Sequence, residues 1–327
     1  MRYRRLGKTG YKVSEVGFGA WAIGGDWGPV DDDESLRALH AAADSGITFY
    51  DTADVYGDGH SERLLARFRD ERGDDEIVIA TKCGRRAPLE VGEYTPDNLF
   101  AWMDRSRRNL GVDRLDLVQL HCPPTDLYYH PEVFEALDEM VATSVIAAYG
   151  ASVERVEEGL KAIEYEGLSS LQIVFNAFRQ RPADLLLERA MAHDVGVIAR
   201  VPLASGLLTG KFNADASFAE DDHRNFNREG AAFDVGETFA GVDFQTGVEA
   251  ATQLEDRVPE GATLAQLALR WILMHDEVST TIPGARTPDQ ARNNAAASLL
   301  GDLDEDTMEA VRWLYTERIA AQVHHRW

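Results

Sequence analysis

Cysteine is nearly missing from this 327-residue chain, which has only Cys83 and Cys122. Two cysteines cannot build a disulfide framework, so a cytoplasmic location is the default expectation. Lysine is scarce too: Lys8, Lys12, Lys82, Lys161 and Lys211 are the only lysines among 33 basic residues. No apolar run approaches the ~18–20 residues that span a bilayer. The basic N-terminus MRYRRLGKTG is not followed by the apolar stretch of a signal peptide. Gly24-Gly25 and Gly57-Asp58-Gly59 lack the spacing of a three-glycine dinucleotide fingerprint and read as loop glycines. There is no internal sequence repeat and no low-complexity linker, so residues 1–327 are expected to form one domain.

What is abundant is negative charge. The formal net charge is −23, which argues against nucleic acid and anionic membrane surfaces as partners, since both are polyanions. Two readings of this acidity stand side by side: adaptation to high salt, where screening removes self-repulsion, or an acidic protein with arginine-rich codon usage. Either way, charge speaks to solubility rather than fold.

Short apolar runs alternate with segments of helical spacing. The strand candidates are Val16–Gly19, Ile47–Tyr50, Ile77–Ala80, Leu115–Leu120, Val145–Tyr149, Leu171–Phe175, Val195–Ala199 and Thr280–Ile282. Helical patterns cover Ser35–Asp44, Asn98–Leu110, Glu132–Val141, Glu154–Ile163, Ala183–His193 and Leu264–Met274. Pro96, Pro131, Pro182 and Pro288 stand at or just before helix starts, where a missing N–H costs little. Eight strand–helix units predict a closed (β/α)8 TIM barrel rather than an open sheet. Tyr3–Leu6 and Tyr11–Val13 read as a small hairpin capping the N-terminal mouth. Residues Phe212–Asp243 have no period and predict a long loop after strand seven, on the catalytic face. Leu303–Tyr315 reads as an added helix and Thr316–Trp327 as a tail.

Barrel enzymes carry their chemistry at the C-terminal ends of the strands. There the chain places Asp51 and Tyr56 after strand two, Lys82 after strand three and His121 after strand four. A free tyrosine titrates near ~10 and is a poor acid at neutral pH. A lysine beside it stabilises the phenolate and lowers that value. Asp51 would orient Lys82, and His121 would polarise a substrate oxygen. The set makes Tyr56 a general acid for an oxygen that gains electron density, as in carbonyl reduction by hydride. Singly, each has a structural explanation: a turn aspartate, a packing tyrosine, a satisfied core histidine. Lysine is rarely buried without a partner, and the four together on adjacent strand ends favour chemistry.

The segments Gly46–Tyr50, Asp51-Thr52-Ala53-Asp54-Val55-Tyr56-Gly57, Thr81-Lys82 and Leu120-His121 resemble the aldo-keto reductase superfamily. Pro202–Lys211 and Ile282-Pro283-Gly284-Ala285-Arg286 are similar to its bacterial-type members. The resemblance implies reduction of small-molecule aldehydes or ketones with NADP(H), the tetrad Asp51, Tyr56, Lys82 and His121, and no metal. It also implies cofactor contacts. Ser152 and Gln172 match the nicotinamide carboxamide positions, but Val153 replaces the family's asparagine, with Asn176 as a candidate substitute. Arg200 stands where members commonly stack an aromatic ring. Leu203, Ser205 and Gly206 match the pyrophosphate loop, with Lys211 close by. Gly284, Arg286, Gln290 and Asn294 match the adenosine half, and Arg286 suits a 2′-phosphate. Trp21 and Trp27, with Tyr56 and Trp327, are candidates for an apolar substrate wall or for scattered packing. Cys83 and Cys122 are either redox-sensitive or inert by burial. Two other classes remain open. One is a binding subunit like the ion-channel β-subunits of this fold. The other is a metal-dependent hydrolase using Asp51 and His121, although strands one, five and six end without histidine.

Overall fold

The computed structural model describes residues 1–25, 31–73 and 76–327. A two-stranded antiparallel hairpin, β1 (Tyr3–Arg5) and β2 (Lys12–Ser14), precedes eight parallel strands. These are β3 (Phe18–Gly19), β4 (Phe49–Asp51), β5 (Val78–Cys83), β6 (Leu117–His121), β7 (Tyr149–Ser152), β8 (Leu168–Val174), β9 (Gly196–Arg200) and β10 (Val278–Thr281). They pair in chain order. Parallel bridges Val16↔Thr281 and Gly19↔Gly284 join the first strand to the last and close the sheet into the expected barrel.

The period of two along each strand separates packing from chemistry. Phe49, Val78, Ala80, Leu117, Ala148 and Ile198 point inward and form the barrel floor with Leu6 and Val13 of the hairpin. Two residues further on, the same inward rows carry Asp51, Lys82, Gln119 and Arg200, and His121 follows Gln119 by another two. The intervening Tyr50, Ile79, Val118 and Leu120 pack outward against the helices. The hairpin therefore plugs the N-terminal mouth as expected. At its turn, Gly7 adopts φ +48°, and a side chain there would collide with the Gly196 amide, so only glycine fits.

Helices start where the chain supplies caps. Asp31, Thr95, Thr263, Thr287 and Asp304 each accept a backbone N–H of the first turn. Two further helices, His60–Arg72 and Phe244–Glu255, lie outside the segments expected to be helical. The first buries only Leu64, Leu65 and Phe68 among its apolar residues, within a strongly charged segment. The strand expected at Val145–Tyr149 lies later, at Tyr149–Ser152. The apolar run is its approach, joined to the sheet by a single bridge, Leu115↔Ile146. Gly150 and Ser152 are its inward-facing residues, paired with Gln119 and His121 of β6. The loop after β9 contains a four-residue helix, His223–Phe226, and tight turns at Val235–Glu237 and Phe239–Gly241. The expected tail is helical through Val323, and Trp327 is buried.

Candidate active site

Adjacent strand ends bring Asp51, Lys82 and His121 to one rim, and the turn after β4 returns Tyr56 over them. Lys82 Nζ donates to Asp51 Oδ1 at 2.5 Å, to the Thr52 carbonyl at 2.8 Å and to Tyr56 Oη at 3.3 Å. Lys82 is 1% exposed, so this is a buried ion pair, and removing either partner strands the other charge at a cost of ~3–5 kcal/mol. The second carboxylate oxygen, Oδ2, accepts from Gln119 Nε2 at 3.1 Å and from Gln172 Nε2 at 2.7 Å. The His121 ring stands edge-on to Tyr56 with centroids 6.0 Å apart. Its Nδ1 is buried without a partner among the described residues.

Burial pushes the Tyr56 hydroxyl up, and the opposing pull of Lys82 does not reverse it. The expectation of a lowered value is thus corrected: desolvation of the phenolate outweighs the nearby cation, because Asp51 already neutralises much of that cation's field. Tyr56 is accordingly a protonated donor in this state. Burial pulls the Lys82 ammonium down, but Asp51 and Tyr56 outweigh this and the net shift is upward. Burial, then Arg85, Lys82 and Arg200, hold His121 well below its ordinary value, so it is a neutral imidazole at neutral pH.

A second charged group lies beside the tetrad. Glu237, from the loop after β9, accepts from Arg85 Nη2 at 2.8 Å and lies 3.5 Å from Arg200 Nη1. Burial opposes ionisation of Glu237, but Arg85 and Arg200 prevail and bring it to about 2. Arg200 Nη2 also donates to the Val153 carbonyl at 3.2 Å and approaches Cys122 Sγ at 3.7 Å. Glu154, 3.3 Å from Arg85, is raised by burial to about 7. Cys122, Glu154 and Glu237 form a compact group, but two guanidiniums serve its carboxylates, and neither Asp51 nor His121 belongs to it. Burial pushes the thiols of Cys83 and Cys122 up, which favours the inert reading of both. Sequence reasoning missed Gln119, Arg85 and Glu237. The inward period of β6 marks Gln119. Arg85 follows Lys82 by three residues in a polar turn. Glu237 sits in an aperiodic loop that gave no signal.

The residues matched to a coenzyme fall into three places. Ser152 Oγ donates to Gln172 Oε1 at 3.4 Å, so these two meet beside the tetrad. Val153 offers no side-chain donor there. Asn176 is already engaged, donating to the Val201 carbonyl at 2.8 Å and accepting from the Phe178 amide at 2.8 Å. Ser205 and Gly206 lie in a tight turn spanning Ala204–Thr209, with Leu203 immediately before it. The Ser205 hydroxyl ties that turn to the Glu237 carbonyl and the Phe239 amide at 3.2 and 3.0 Å. Lys211 follows on the surface. At the far side, Arg286 and Gln290 line a cavity of about 320 Å³. Gln290 Oε1 accepts from the Arg286 amide at 2.8 Å, and Asn294 Nδ2 donates to the Gly284 carbonyl at 3.1 Å. A guanidinium at a helix start fits an anionic group chemically.

Trp21 stacks on Tyr56 with centroids 6.0 Å apart, and His223 and Phe233 from the long loop close on it at 4.7 and 5.8 Å. An aromatic wall beside Tyr56 therefore exists. Trp27 lies outside the described residues. Trp327 is placed elsewhere: it packs behind the loop, against Gly236 and Gly241.

The aldo/keto reductase family model matches residues 15–315. The chain is 30% identical over 303 residues to the aldo-keto reductase YhdN of Bacillus subtilis, covering 89% of this chain and 86% of that protein. It is 28% identical to a probable voltage-gated potassium channel subunit beta of Arabidopsis thaliana, with 91% of each chain covered. Among solved structures it superposes on an aldo-keto reductase of Bacillus halodurans in its holo form with a TM-score of 0.76, at 25% identity and 96% coverage of both chains.

Proposed function

Since this chain belongs to the aldo/keto reductase family, we propose that it reduces aldehydes or ketones to alcohols with NADPH, Tyr56 giving the proton. The observation that carries this reading is the contact of Lys82 Nζ with both Asp51 and Tyr56 inside the barrel mouth. NADPH, when bound, supplies the hydride to the carbonyl carbon. Tyr56 transfers its proton to the carbonyl oxygen as charge builds there. Lys82 then faces the tyrosinate and compensates its charge, while Asp51, fixed by Gln119 and Gln172, keeps Lys82 oriented. His121, neutral, hydrogen-bonds the oxygen without adding a second cation beside Lys82. Trp21, His223 and Phe233 exclude water from one side.

For the coenzyme, the reading assigns Ser152 and Gln172 to the nicotinamide carboxamide, Arg200 to its ring, and Leu203, Ser205, Gly206 and Lys211 to the pyrophosphate. Gly284, Arg286, Gln290 and Asn294 take the adenosine half, with Arg286 on the 2′-phosphate. The 327 residues act as one barrel domain. No described helix is long and apolar enough to cross a membrane, and we place the enzyme in the cytoplasm, away from polyanionic partners. A non-catalytic binding subunit is the second reading, supported by the channel-subunit similarity. The complete tetrad geometry favours turnover. Adding a panel of simple aldehydes and ketones to the protein with NADPH decides: carbonyl-dependent NADPH oxidation that survives a chelator supports the reductase, and tight NADPH binding without oxidation supports the subunit.

A further inference from the structure

The cavity that contains Arg286 is not built as a plain anion site. It lies between two helix starts. One is the helix Pro288–Ala296, capped by Thr287, with Arg286 immediately before the cap. The other is the helix Asp32–Asp44, capped by Asp31, whose Oδ1 accepts from the Glu34 amide at 2.8 Å. Both helix ends present positive partial charge. The second, however, carries four consecutive acids, Asp31 to Glu34. Asp32 lies 2.9 Å from His60 and Asp33 lies 3.9 Å from Arg67. Asp31 and Glu34 line the cavity and have no ion-pair partner among the described residues.

One wall thus holds a guanidinium and the other two carboxylates, so the described side chains lining the cavity sum to one negative charge. A 2′-phosphate would bring close to two more negative charges into it. A free 2′-hydroxyl would instead find what a ribose diol seeks, a carboxylate acceptor. The two coenzyme forms differ only at this group, and the cavity contains a partner for each.

Resting on the coenzyme placement proposed above, we infer that this cavity accepts both NADH and NADPH and that ionic strength sets the balance between them, NADPH gaining as salt rises. The physical reason is a difference in screening. Arg286 is half-buried and would touch the phosphate directly. Asp32 and Asp33 are exposed and repel it through water, as does the rest of the chain's −23 charge, and Asp31 and Glu34 repel it from the opposite wall of the cavity. The Debye length falls from ~10 Å at 0.1 M to ~3 Å at 1 M, and contact pairs are screened far less than separated ones. Salt therefore removes the repulsion and largely spares the clamp. An isolated arginine–phosphate contact on a neutral surface behaves in the opposite way and weakens with salt.

The experiment measures dissociation constants of NADPH and NADH for the full chain, by tryptophan quenching, in about 0.1 M and about 2 M potassium chloride. For wild type, the NADH-to-NADPH ratio of dissociation constants should rise on the order of tenfold between these salts. Glu34→Gln and Asp31→Asn, which keeps a capping oxygen, should favour NADPH already at low salt and respond less to added salt. Arg286→Ala should weaken NADPH at both salts and leave NADH nearly unchanged. A wild-type ratio that falls with salt, or acid-neutralising variants with an unaltered ratio, overturns the inference while leaving the reductase reading intact. Failure of either coenzyme to bind at any salt overturns the coenzyme placement itself.

Discussion

The Gln172 amide donates to Asp51 Oδ2 at 2.7 Å. This ties the residue assigned to the nicotinamide carboxamide to the catalytic carboxylate as well, through the same nitrogen that lies 3.3 Å from Gln119 Oε1. Gln172→Met keeps volume and removes the donor. A hydrogen bond to a buried charge is worth ~1.5–3 kcal/mol, so the variant should lose about that much stability in denaturant titration and also bind NADPH more weakly. Unchanged stability would show that the amide does not support Asp51, and unchanged NADPH binding would remove Gln172 from the nicotinamide contacts.

Asp54 gives a pH signature. Its carboxyl is buried with no hydrogen-bond partner for either oxygen among the described residues. Burial, then Glu62, raises it to about 7 against the opposing pull of Arg105 and Arg86. The folded chain therefore holds a proton that the unfolded chain releases above ~4. Between ~4 and about 7 the folded state binds more protons, so Asp54 removes stability as pH rises, by up to ~1.4 kcal/mol per unit. His223, lowered to about 4 by burial, acts with the opposite sign over ~4–6.5. Comparing Asp54→Asn with wild type cancels that contribution. The variant's melting temperature relative to wild type should climb from pH 5 to pH 8; a constant difference would mean that Asp54 is ionised throughout.

Trp327 anchors the loop that carries Glu237. Its Nε1 donates to Asp234 at 3.0 Å, its ring covers Gly236 and Gly241, and the Arg179 guanidinium lies 3.7 Å over it. Trp327→Ala should cost ~3–5 kcal/mol, speed amide hydrogen exchange across 234–241, and lower carbonyl turnover by loosening Glu237 from Arg85 and Arg200. Fast exchange with full turnover would show that Glu237 plays no part in the reaction.

Much of the barrel was readable because each strand encodes it twice. An apolar residue such as Phe49, Ala80 or Leu117 marks the inward row, and Asp51, Lys82 or Gln119 two positions later marks its catalytic end. The helix His60–Arg72 was hidden because charge covers all but a narrow apolar face. β7 was misplaced because its inward residues are Gly150 and Ser152, too small and polar to announce a strand. Glu237 was illegible for a different reason. Its partners come from the turn after β5 (Arg85) and the end of β9 (Arg200), and only the folded loop brings the three together. The raised Tyr56 was missed because proximity to Lys82 is visible in a motif, whereas burial is not.

Tyr56 is the proton donor on which the proposed reaction depends. The decisive measurement is NADPH oxidation by Tyr56→Phe with a carbonyl substrate that wild type reduces, alongside NADPH titration of the same variant. The phenyl ring keeps the stacking with Trp21 and removes only the hydroxyl beside Lys82. Turnover should fall by ~10²–10⁴-fold or more, with NADPH affinity close to wild type. Near-normal turnover with bound NADPH would contradict the mechanism.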